Sequence, residues 1–138
     1  MKKLLASFLT LLFLSASVFA GTINSYNKYG SKSGSYRTNG SMTTKYNKYG
    51  QKEKTYKKSE NKTTEYNKYG SKTATYRKNG SSTIKYDKNG RKQASYKTSG
   101  STTNIYDKYG RKTGSYKKSS NGKVVEYDKY GRKVRSYK

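Results

Sequence analysis

Tyrosine returns every ten residues through most of this chain, at 26, 36, 46, 56, 66, 76, 86, 96, 106 and 116, then at 127 and 137 after a one-residue insertion. Glycine follows four residues later at 30, 40, 50, 70, 80, 90, 100, 110 and 131. The better unit is twenty residues, because alternate decapeptides differ. One type reads YNKYG at 26, 46 and 66, YDKNG at 86 and YDKYG at 106 and 127; the other reads YRTNG at 36, YRKNG at 76 and YKTSG at 96. The copies at 56 (YKKSE) and 116 (YKKSSNG) depart from the second type. The net charge of +25 and the scarcity of aliphatic side chains would by themselves describe a disordered chain. A disordered segment has no reason to hold such phase, whereas stacked units that bury a face only together do.

Each unit reads as a β-hairpin. In Asn27-Lys28-Tyr29-Gly30 and its equivalents, Asn or Asp stands first and Gly fourth. That is the signature of a type I turn, with Gly supplying the left-handed residue of the adjoining bulge. Asn39-Gly40 and Asn79-Gly80 are strong short-hairpin signals. Between the turns lie short runs of Tyr, Thr, Ser and Lys with no Pro to interrupt a ladder, and none with the three-and-four apolar spacing of a helix. The expected fold is all-β: six tandem hairpins of about 20 residues filling residues 22–138, closed into a small symmetric toroid or shallow barrel. An open repeat sheet is the alternative.

Period-two geometry assigns the faces. One face of each second strand carries Lys32-Gly34-Tyr36, Lys72-Ala74-Tyr76, Lys92-Ala94-Tyr96 or Lys112-Gly114-Tyr116. The small residue two before Tyr leaves room for neighbouring rings to cross, so the expected core is a stack of all twelve repeat tyrosines over Gly and Ala. Lys54 and Arg135 occupy the same small position and break that rule.

The N-terminus has a different character. Lys2 and Lys3 precede a largely apolar run from Leu4 to Phe19, and Val18 and Ala20 fit the small-residue cleavage positions. The pattern predicts a signal peptide over residues 1–20, cleaved after Ala20, and a single repeat domain over 21–138 that is secreted or periplasmic. No second apolar segment follows, so no membrane span is expected after cleavage. Without Cys, disulfides and thiolate metal sites are excluded.

The recurring YDKYGR and YDKNGR, with the Thr-rich GSTTNIYDKYGR at 100–111, resemble the YD repeats of Rhs-type proteins, which build large β-shells. Asn replaces the Asp at 27, 47 and 67, Ser or Gln replaces the Arg at 31, 51 and 71, and the chain is too short for a shell. It more closely resembles the small exported β-flower proteins, in which five or six tandem hairpins close into a shallow toroid. That resemblance implies an architecture and lends no activity.

Site chemistry is mostly absent. The chain has no His and no Cys, so the usual general base, nucleophile–base pair and transition-metal ligands are missing. Asp87, Asp107 and Asp128 stand first in their turns, where an Asx-type bond to the turn backbone accounts for them. Neither an enzyme nor a cofactor is expected. What remains is cationic surface in register. Lys28, Lys48, Lys68, Lys88, Lys108 and Lys129 occupy the second turn position, beside Tyr29, Tyr49, Tyr69, Tyr109 and Tyr130 at the turn tips, with Asn89 breaking the series. These are the candidate anion-binding residues and the candidate exposed aromatics. Rows at Lys32 and Arg37 and their equivalents would form further rings of charge if the hairpins close.

Such a surface attracts polyanions, and exposed rings beside cations suit sugars and lipid interfaces. For an exported chain the expected partners are anionic lipid, lipopolysaccharide or acidic polysaccharide, ahead of nucleic acid. A structural or self-assembling repeat protein without a dedicated ligand is the alternative, in which Lys serves only to keep strands soluble.

Overall fold

The computed structural model describes residues 21–138; the expected signal peptide on residues 1–20 lies outside the described residues. The hairpins of the first half are β1 (Gly21–Asn27) with β2 (Lys32–Asn39), β3 (Met42–Asn47) with β4 (Lys52–Ser59), and β5 (Lys62–Asn67) with β6 (Lys72–Asn79). Those of the second are β7 (Ser82–Asp87) with β8 (Lys92–Ser99), β9 (Thr102–Asp107) with β10 (Lys112–Lys118), and β11 (Val124–Asp128) with β12 (Lys133–Tyr137). Every strand runs antiparallel to its sequence neighbours, and β1 pairs with β12 to close a twelve-stranded barrel. Ser25 faces Tyr137 across the seam, and Asn24 and Lys138 exchange backbone hydrogen bonds of 2.9 Å. Closure leaves no edge strand among the described residues to recruit another chain.

The turns follow the sequence. Gly30 N–H donates to Asn27 O at 3.0 Å and Asn27 N–H to Ser31 O at 2.8 Å, while Asn27 Oδ1 accepts from Tyr29 and Ser31 N–H. Gly30 closes this type I turn and bulge at φ 86°, in the left-handed region that suits a residue without Cβ. At the opposite end, Gly40 (φ 59°) takes the first central position of a two-residue turn, between the paired Asn39 and Met42. Asn39 therefore ends the strand, and the single left-handed residue is the type II′ pattern. Glu60 holds the equivalent place at φ 49°, the one left-handed residue other than glycine among those described. The insertion after Tyr116 also has a local cause: Ser119-Ser120-Asn121-Gly122 forms a type I turn, with Gly122 N–H on Ser119 O at 3.0 Å, where the other hairpin links use two residues.

The core differs from the expected one in three respects. Only the second-strand tyrosines are fully inside: Tyr36, Tyr56, Tyr76, Tyr96, Tyr116 and Tyr137 are all 2% exposed or less. The first-strand tyrosines, from Tyr26 to Tyr127, are half-buried on the outer wall. Their neighbours Ser25, Lys45, Glu65, Lys85, Ile105 and Glu126 point inward instead, as strand alternation requires once the ring faces out. Second, Lys32 does not share the face of Gly34 and Tyr36. A β-bulge sets Gly34 opposite Ser25 and Lys32 opposite Tyr26, which turns Lys32 to the exposed side. Third, what crosses the small position is backbone rather than a ring. A Cβ on Gly34 would lie 2.5 Å from Tyr46 O, and one on Gly114 would lie 2.6 Å from Tyr127 O.

Candidate binding rim

Every odd strand joins the following even strand through an Asn/Asp-Lys-x-Gly turn, so an up-and-down barrel carries all six such turns at one end. The candidate residues Lys28, Lys48, Lys68, Lys88, Lys108 and Lys129 consequently share one circular rim with Tyr29, Tyr49, Tyr69, Tyr109 and Tyr130. The five tyrosines are 69 to 80% exposed, far beyond any other ring among the described residues. Each has its preceding lysine over its face: the ammonium lies 4.9 to 5.0 Å from the ring centroid in all five pairs. Lys88 precedes Asn89 and lacks such a ring.

The first turn residue supports the tip. Asp107 Oδ1 accepts from Tyr109 and Arg111 N–H at 2.9 Å, and Asp107 Oδ2 accepts from Arg111 Nε at 2.8 Å. Asp128 repeats this arrangement with Tyr130 and Arg132. The backbone hydrogen bond from the Arg residue is the leading reason that Asp107 and Asp128 stay below the usual carboxylate range. These acids are spent on the turn and on its arginine, so they neutralise Arg111 and Arg132 and leave the tip lysines unpaired with acid. Arg111 and Arg132 also lie over Tyr109 and Tyr130, at 5.2 and 5.1 Å, so each of those two rings has two cations near it.

Beside this rim, between β8 and β10, a cleft of 340 Å³ reaches from Lys108 and Tyr109 down to Ala94, Tyr96 and Ile105. Side-chain size explains its position. Ala94 and Ile105 stand where the second and third hairpins carry Lys54 and Glu65, which fill the space and join at 2.9 Å. Among the described residues no cluster of acids is close enough to hold a metal ion, and no helix is long and apolar enough to cross a membrane.

No known family model matches the chain, and no curated protein matches it either.

Two polar systems escaped sequence reasoning. The Arg37 row was expected to be free surface charge, but it braces the wall. Arg37 lies 5.0 Å from the Tyr46 ring on the next hairpin, Lys57 5.5 Å from Tyr66, Lys97 5.6 Å from Tyr106 and Lys117 5.4 Å from Tyr127. The other system is inside the barrel. Glu65 and Glu126 are 2% and 0% exposed, and Lys45 is 6% exposed with its ammonium paired to Glu53. Tyr127, one of the twelve rings expected in the core, is on the wall, and Glu126 before it is in the interior. The signal was available: the residue before any outward-facing ring must point in.

Proposed function

We propose that the protein is an exported, non-enzymatic β-flower-type repeat protein that binds anionic polymers or lipid surfaces through its turn rim. The observation that carries this reading is the gathering of five Lys-over-Tyr pairs and Lys88 onto one end of the barrel. A ring of ammonium groups raises the local potential along a closed curve, and the exposed rings beside them add contact with sugar faces or the headgroup region. The net charge of +25 ensures attraction to almost any polyanion, so position rather than total charge is the discriminating quantity.

The test compares two charge reversals of equal size. Lys28→Glu, Lys68→Glu and Lys108→Glu together alter the rim, whereas Lys57→Glu, Lys97→Glu and Lys117→Glu together alter the wall. Cosedimentation with phosphatidylglycerol vesicles, lipopolysaccharide and an acidic polysaccharide is measured at several salt concentrations. The rim triple should lose binding at least tenfold more than the wall triple, and wild-type binding should weaken steeply with salt because exposed charges are screened within about 8 Å at physiological ionic strength. Equal losses from two folded triples would reject the rim and favour a structural protein with nonselective charge.

A further inference from the structure

On the outer wall, β5, β6 and β7 frame a groove of 320 Å³ lined by Lys62, Lys72, Thr75, Arg77, Tyr86, Asp87 and Gly90, which runs down from the base of the Asp87–Gly90 turn. Lys62 and Arg77 are paired residues of adjacent strands, and Thr75 is opposite Tyr86. Three cations thus border one depression. The single acid beside them is engaged elsewhere: Asp87 Oδ1 accepts from Asn89 and Arg91 N–H at 2.8 and 2.9 Å, and Asp87 Oδ2 accepts from Gln93 Nε2 at 3.2 Å. The floor holds an anomaly. Thr75 is 5% exposed, and its Oγ1 is buried without a hydrogen-bond partner. A buried hydroxyl in that condition is destabilising unless something accepts its proton.

Comparison with the neighbouring repeat isolates what is special here. Thr55 is the same position one repeat earlier, and its Oγ1 is likewise buried and unpartnered. Its flanking cation Lys57, however, lies over the Tyr66 ring, and Met42 stands where the β6 groove has Lys62. Arg77 makes no such contact with Tyr86 among the described residues, and it lines the groove. Among the described residues, only the Thr75 groove combines a hydroxyl without a hydrogen-bond partner, an uncommitted arginine and two lysines.

We propose that this groove is a binding site for a tetrahedral oxyanion, the phosphate or sulfate group of a monoester. A dianion with several acceptor oxygens matches three positive donors and one hydroxyl donor, and the planar guanidinium grips two oxygens at once. Thr75 supplies the neutral donor at the floor, and the Tyr86 wall covers the ester's organic part. None of the tip lysines or tip tyrosines lines the groove, so its failure and the rim's failure are separable.

Backbone amide spectra of the protein are recorded during titration with inorganic phosphate, inorganic sulfate and glucose 6-phosphate at constant ionic strength. Saturable shifts are expected at Thr75, Arg77 and Tyr86, with little change at Thr55, Lys57 and Tyr66. Glucose 6-phosphate should bind several-fold more tightly than inorganic phosphate; equal binding would overturn the ester assignment. Thr75→Val keeps the shape and removes the hydroxyl, and should weaken binding several-fold. Arg77→Gln, at an exposed position, should weaken it about tenfold. Shifts spread evenly over all six repeats, or an affinity that neither substitution changes, would overturn the proposal.

Discussion

Glu65 and Glu126 occupy the same position in two repeats and live in opposite circumstances. Both are buried inside the barrel, and each accepts a hydrogen bond at 3.0 Å from a second-strand tyrosine, Tyr76 for one and Tyr137 for the other. At Glu65, burial alone would raise the pKa. The Lys54 hydrogen bond and charge, the charge of Lys85 and the Thr73 hydroxyl at 2.8 Å outweigh it and hold the carboxyl below its ordinary value. At Glu126 the residue in the place of Lys54 is Gly114, which offers nothing. The cation comes from the other side, on Arg135, whose Nε has no hydrogen-bond partner, and Glu126 Oε1 has none either. Burial therefore wins, and the carboxyl is pushed up to about 7. The same residue in the same fold is an ionised anchor in one repeat and a titrating group in another, because a cation on the preceding even strand is present or missing.

The largest effect should come from taking the anchor's partner away. Lys54→Met keeps the aliphatic stem but leaves Glu65 buried without its ion pair, and should destabilise the fold by about 3–5 kcal/mol in chemical denaturation. The double substitution Lys54→Met with Glu65→Gln should recover most of that loss. A single substitution that costs under 1 kcal/mol would show that Thr73 and Tyr76 suffice for Glu65, and the comparison would fail.

The second prediction concerns pH. Glu126 holds its proton more tightly folded than unfolded, so its carboxyl opposes folding once ionised. The contribution of Glu126 to stability should be greatest below the ordinary glutamate value of 4.5, decline as pH rises, and level off above about 7. The decline amounts to roughly 3 kcal/mol. Glu126→Gln should abolish it and stabilise the protein at pH 8. Glu65 has the opposite sign: its contribution is present above the unfolded value and is lost as pH falls through its lower folded value. Denaturation midpoints from pH 3 to 8 read both. A slope between pH 4.5 and 7 that survives in Glu126→Gln would refute the assignment.

Two smaller effects sharpen the contrast. Tyr76→Phe removes a donor to an ionised carboxylate and should cost about 2 kcal/mol at pH 8, where Tyr137→Phe should cost a similar amount. At pH 5 the Tyr137→Phe cost should shrink towards 1 kcal/mol, because Glu126 is then protonated, while the Tyr76→Phe cost stays. Smallest of all, Glu60→Gly relieves the left-handed φ of 49° and should raise stability by about 0.5 kcal/mol at every pH, far from both acids. A gain that varied with pH would mean that the Glu60 charge matters more than its backbone.

Local chemistry was legible from the chain alone. The type I turns were plain in Asn/Asp-x-x-Gly because the first side chain and the last φ angle act within five residues, and Asn27 Oδ1 with Gly30 does what those residue types predict. The twenty-residue phase also fixed six antiparallel hairpins. The sequence did not show which of the two tyrosine rows faced out, because alternation gives two faces and names neither. One extra residue at each bulge also resets the alternation, as it does between Lys32 and Gly34. Only closure decided the rest. Pairing β1 with β12 brought Lys28 and Lys129, about a hundred residues apart in the chain, onto one rim. It also enclosed Lys54, Glu65, Arg135 and Glu126 in a space where each charge must find a partner or lose its proton. Partnership across strands depends on register and side-chain reach, and those exist only once the ring is formed.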